Sequence, residues 1–128
     1  MEWVARLMLQ IIDKPMNLRE MVKMRNEEIA RGDLQPPRAA ELLTEFSALM
    51  GNCNDEIRKR DVEYNKVLLQ FLESEEKANR AKIKAECSPE YLTKREARDT
   101  KEIILESIRS LKYYLRAKSE EYREAYNQ

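Results

Sequence analysis

Residues 46–85 read FSALMGNCNDEIRKRDVEYNKVLLQFLESEEKANRAKIKA. Within them Phe46, Met50, Cys53, Ile57, Arg60, Tyr64, Val67, Phe71, Ser74, Ala78, Ala81 and Ala85 follow one another at alternating steps of four and three, without a slip. That spacing keeps one stripe of a helix turned toward a second helix lying lengthwise on it. A second series runs from Ala97 through Ile104, Ile108, Leu111, Leu115, Tyr122 and Ala125. Between the two stands Ser88-Pro89, with Ser suited to an N-cap, Pro to the first helical position and Glu90 to the first turn. The pattern predicts an all-α chain built on a long antiparallel hairpin, with arms at about residues 37–86 and 89–126.

Folding the hairpin about residues 87–88 makes facing residue numbers sum to about 175. Phe71 is then expected opposite Ile104, Val67 opposite Ile108, Tyr64 opposite Leu111, Arg60 opposite Leu115 and Ala78 opposite Ala97. Both seams narrow toward Ser74, Ala78, Ala81 and Ala85, where small side chains allow close approach. Gly51 is the weak point of the first arm, since an interior glycine costs about 1 kcal/mol. The unbroken heptad register favours a continuous helix there. Arg60 on the seam either sets register or packs its stem while its head reaches Glu56 or Glu63.

The N-terminal third, residues 1–35, reads as one or two amphipathic helices, and residues 36–128 as the hairpin, all in one domain. Trp3, Val4, Leu7, Met8, Ile11 and Ile12 recur at helical spacing before Lys14-Pro15 interrupts them. Leu18, Met21, Val22, Arg25 and Ile29 follow, with Gly32 in C-cap position and Leu34-Gln35-Pro36-Pro37 as a rigid connector. Two helices leave Leu42, Leu43, Leu49, Leu68, Leu69, Leu72, Ile103 and Leu105 wanting cover. The N-terminal helices are expected to fold back on the open end, and chains to pair and complete a bundle. Trp3, Leu7 and Ile11 are the candidate partner or oligomer contacts.

The chain has 128 residues, of which 38% are charged, with only two glycines and four prolines, a composition suited to long helices. Acidic and basic residues number 24 each. No histidine is present, which removes Ser-His-Asp and Cys-His catalysis and the commonest metal ligand. Gly32 and Gly51 stand alone, so no phosphate loop is present. The acid-dense stretches around Glu75 and Glu121 read as solvated faces, and no enzyme, metal or cofactor is expected. No apolar run is long enough to span a membrane, and the N-terminus lacks the features of a signal peptide. Cys53 and Cys87, placed on one helix, would stand roughly 50 Å apart, too far for a disulfide, so two free thiols in the cytoplasm are expected.

Charge is balanced overall and uneven locally. Residues 36–76 carry five bases against nine acids, and residues 77–101 carry eight bases against four acids. A further basic run, Arg109, Lys112, Arg116 and Lys118, encloses Tyr113 and Tyr114 without an acid. Three readings are open: ordinary solvated faces with i,i+4 pairs, head-to-tail assembly of basic tips on acidic arms, or contact with nucleic-acid phosphates. The third would use Lys82, Lys84, Lys94, Arg95 and Arg98 at the hairpin tip. Arg109, Lys112 and Arg116 would extend the path, with Tyr113 stacking a base.

Tyr64-Asn65, Ala78-Asn79-Arg80-Ala81-Lys82, Ser88-Pro89-Glu90-Tyr91 and the run Ile108 to Arg116 give the C-terminal half a resemblance to small helical accessory proteins of tailed bacteriophages. Some proteins of that kind are recombination mediators that bind single-stranded DNA and help load a recombinase. The resemblance implies a DNA replication or recombination accessory. The residues themselves point first to a non-enzymatic interaction or assembly protein that works as an oligomer.

Overall fold

The structure, a computed structural model, describes residue 2, residues 16–74 and residues 77–127. Its helices are α1 (Leu18–Ala30), α2 (Pro36–Ser74), α3 (Ala78–Glu86) and α4 (Pro89–Asn127). The two long helices, α2 and α4, pack antiparallel, and α1 lies across both. Among the described residues no helix is long and apolar enough to cross a membrane.

α1 starts where Asn17 Oδ1 accepts the Glu20 N–H at 2.8 Å, while Asn17 Nδ2 donates to Glu20 Oε1 at 3.3 Å. The two residues thus close a reciprocal cap. It stops at Gly32, whose φ of +81° is a left-handed backbone that favours glycine. The Pro36-Pro37 pair then opens α2, where a missing N–H costs nothing. α2 runs through Gly51 without interruption.

The Cys53 thiol donates to the Ala97 carbonyl at 3.5 Å. Seven residues along both helices, Phe46 lies opposite Ile104, and seven further Ala39 lies opposite Leu111. All of these but Ala97 are at most 1% exposed, and Ala97 is 7% exposed. Facing residue numbers therefore sum to 150, not 175, and the expected partners of Phe71, Val67, Tyr64 and Ala78 are all displaced. Tyr64 instead meets Tyr91, with ring centroids 5.5 Å apart. Leu42 and Leu49, which the hairpin seam alone left without cover, are core residues, joined by Val22 of α1. Of the expected seam, Tyr64, Ala97, Ile104 and Leu111 are buried and Val67, Phe71, Ile108 and Leu115 half-buried, while Ala78 is exposed.

The register moves because the first arm does not continue to residue 86. α2 ends at Ser74 and the next helix starts at Ala78, so the chain reverses there and not at Ser88. Glu73 puts a carboxylate in the last turn of α2, where the dipole disfavours it, and that turn holds no base. The Ser74 hydroxyl donates to the Phe71 carbonyl at 3.2 Å, and Lys77 is extended. α3 then runs back along α2, burying Ala81 and Ala85 completely and bringing the charge of Glu86 to bear on Tyr64. Ser88-Pro89 does restart a helix, with Ser88 Oγ accepting from Tyr91 N–H at 3.3 Å, but it joins α3 to α4 within the return arm. Cys53 is buried and Cys87 exposed, both as free thiols. They lie on different arms, separated by roughly the 15 Å that ten helical residues span, still beyond a disulfide.

Candidate functional site

α1 is antiparallel to α2, held by a charged clasp. Arg38 of α2 grips Glu28 of α1 with two bonds, Nε to Oε2 at 2.7 Å and Nη2 to Oε1 at 2.9 Å. Arg38 also reaches Glu41 and Glu45, and Arg25 of α1 lies 3.5 Å from Glu45. The guanidinium hydrogen bonds hold the Glu28 carboxyl below its ordinary range. Two polar contacts fasten the other side: the Ser107 hydroxyl lies 2.7 Å from Asn26 Oδ1, and the Tyr114 hydroxyl donates to the Leu34 carbonyl at 2.5 Å. Glu28 and Arg38 straddle the connector, so their pairing carries no periodic signal in the sequence.

Asn17 and Leu18, at the start of α1, border the same cleft as Arg60 and Thr93. Below that level three helices share the core. Beyond it the described residues comprise only the end of α2, α3 and the start of α4, and there Val62, Leu69, Leu72, Ile83 and Leu92 are exposed. Val62, Leu69 and Leu72 recur at i, i+7 and i+10 on one outward stripe of α2. Trp3, Leu7 and Ile11 lie outside the described residues. Arg60 keeps its place on the seam by donating to Glu56 at 2.8 Å and to Glu63 at 2.9 Å. Its stem packs while its head is paired at the surface, the second of the two readings of this residue.

The expected nucleic-acid contacts do not gather at a tip. The chain reverses between the end of α2 at Ser74 and the start of α3 at Ala78, so Lys82 and Lys84 sit on α3, exposed, while Lys94, Arg95 and Arg98 lie further down the return arm beside Asp61 and Tyr64. The Lys94 ammonium stands 4.3 Å over the Tyr64 ring, and the Arg95 guanidinium is 6.0 Å from the Tyr91 ring. Arg98 donates to Asp61 at 2.9 Å. Arg109 donates to Glu106 at 2.6 Å. Lys112 and Arg116 are exposed without an ion-pair partner among the described residues, and Tyr113 is 75% exposed.

The acidic arm looks different once paired. Glu41 and Glu45 belong to the clasp, Asp55 pairs with Arg58, Glu56 and Glu63 with Arg60, and Asp61 with Arg98. Head-to-tail assembly would have to break these pairs, which removes most of its electrostatic gain. Among the described residues no group of His, Cys, Asp and Glu side chains is placed to hold a metal ion.

The fold and its surfaces define an all-α helical hairpin braced by the short helix α1. Comparisons with protein-family models, with curated proteins and with solved structures find no match to this chain.

Proposed function

We propose that this is a non-enzymatic helical interaction protein that works as an oligomer of itself, presenting a bundle surface to a protein partner. The observation that carries the reading is the uncovered distal half of the hairpin. Val62, Leu69, Ile83 and Leu92 are each more than half exposed, on the part of the molecule that α1 does not reach. Most of the exposed branched aliphatic side chains lie on this end, and a cluster of that kind is the usual mark of an interaction surface. A second copy would supply the missing helices and complete a bundle of four or more. Trp3, Leu7 and Ile11, which precede α1 in the chain, belong to the same proposal as contact residues.

Light scattering on purified protein tests this. The expected mass is a multiple of the 15.2 kDa chain. Replacing Leu69 and Ile83 together by Asp should return the mass to one chain while the helical circular dichroism stays the same, because both side chains are already exposed. A wild-type protein that stays at one chain across the micromolar range would refute the proposal.

A further inference from the structure

α4 is one uninterrupted helix of 39 residues, so the direction of each side chain follows from 100° per residue. On that wheel Lys94, Arg98, Lys101, Arg109, Lys112 and Arg116 fall within one arc of about 80°, and Arg123 continues it. No acid of α4 falls in the arc; the remaining members are Tyr91, Leu105, Ser119 and Asn127. The stripe extends about 44 Å at 1.5 Å per residue. Sequence blocks hid it, since Glu102, Glu106 and Glu120 interleave in the chain; on the wheel Glu102 and Glu120 flank the outer edge of the arc, about 20° beyond Arg109, and Glu106 lies further round.

The Arg98–Asp61 bridge fixes which flank this is. α1 covers the opposite flank, through Asn26 at Ser107. The side of α2 that lies beside the stripe carries Ser47, Asn54, Arg58 and Asn65, with Asp61 its one acid. One flank of the hairpin is thus an electropositive strip, bordered on the α2 side mainly by polar side chains with one acid and on its outer edge by Glu102 and Glu120. Tyr113 is four residues from Arg109 and three from Arg116, close enough on a helix surface to stand beside both.

We propose that this flank of α4 binds single-stranded nucleic acid, its bases holding successive phosphates and Tyr113 stacking a base. A line of clustered cations is what a repeating phosphate chain requires, irrespective of net charge. The line is straight over about 44 Å, whereas a duplex strand winds a full turn in roughly 34 Å and would leave it. A flexible single strand can follow it throughout, and an exposed aromatic beside the path accepts any base. An acidic face of a second copy is the less suited occupant, because Glu41, Glu45, Asp55, Glu56, Asp61 and Glu63 of α2 are already paired within the chain. The proposal is independent of the oligomeric reading, since the stripe and the apolar distal half use different residues.

Fluorescence anisotropy with a labelled thirty-nucleotide oligothymidylate and the matching duplex tests it, on protein whose mass is followed by light scattering. With about five to seven phosphate contacts, the slope of log K against log salt should be about −3.5 to −5 for a single strand. Affinity should then fall about 100-fold to 1,000-fold between 50 and 200 mM salt. Lys112→Glu with Arg116→Glu should weaken binding at least tenfold and flatten the slope by about 1.4, with helical content unchanged. Lys82→Glu with Lys84→Glu on α3 should stay within about threefold of wild type, as residues outside the strip. The proposal is overturned by no salt-sensitive binding at about 50 mM salt, by duplex binding as tight as single strand, or by an α4 variant that binds like wild type. Loss of oligomer mass in the Lys112, Arg116 variant, without any oligonucleotide binding by wild type, would instead assign the stripe to contact between copies.

Discussion

The register of the hairpin makes a sharp thermodynamic prediction. Phe46 and Ile104 are both fully buried and face each other one heptad from the Cys53–Ala97 hydrogen bond. Phe71 lies 25 residues from Phe46 on the same helix, roughly 37 Å away at 1.5 Å per residue. Conservative truncations keep the protein folded: Ile104→Val should cost about 0.5–1.5 kcal/mol, and Phe46→Leu about 1–1.5 kcal/mol for the lost ring volume. Phe71→Leu, at a half-buried position, should cost less, about 0.5 kcal/mol. Residues in contact share a cavity, so the Phe46→Leu, Ile104→Val double mutant should depart from additivity by at least about 0.5 kcal/mol. Phe71→Leu with Ile104→Val should add within about 0.3–0.5 kcal/mol. Urea denaturation followed by circular dichroism reads all six proteins, with m unchanged as the control on two-state unfolding. Coupling of Ile104 to Phe71, with additivity to Phe46, would restore a reversal at residues 87–88 and refute the arrangement described above.

The two glycines should respond with opposite signs. Gly32→Ala meets no neighbouring atom but forces a side chain into φ +81°, and should lower stability by about 1–2 kcal/mol. Gly51→Ala, in an open position inside α2, should raise it by about 1 kcal/mol, both read as shifts in urea midpoint. The clasp predicts an acid dependence: Glu28 has its folded-state pKa lowered, chiefly by the hydrogen bonds from Arg38. Its contribution is present above the ordinary carboxylate range and is lost as pH falls through the lowered value. Glu28→Gln should therefore be less stable than wild type at pH 7, with the difference closing toward pH 2; a constant difference across that range would show that the pairing contributes nothing through charge.

The sequence by itself determined the local geometry. The Ser88-Pro89 restart, Gly32 after Ile29 and the paired prolines at 36 and 37 each act through near neighbours and produced the element expected of them, and the heptad spacing from Phe46 produced its helix as far as Ser74. It also determined the paired surface position of Arg60, because Glu56 and Glu63 lie within a helical turn. What it could not determine was where the chain turns back. The seam runs through Ser74 and Ala78 without a slip, and a heptad pattern is blind to a reversal that preserves its phase. Only packing decides that Ala81 and Ala85 lie against α2 instead of prolonging it, because small side chains bury little on a lone helix and much when two backbones approach closely. That one choice moved Ile104 from Phe71 to Phe46, took Lys94 and Arg98 from a tip to a flank, and made Leu42 and Leu49 core. The clasp of Arg38 and the bond between Asn26 and Ser107 joins residues of separate elements. Such pairs exist only once tertiary structure has brought the elements together.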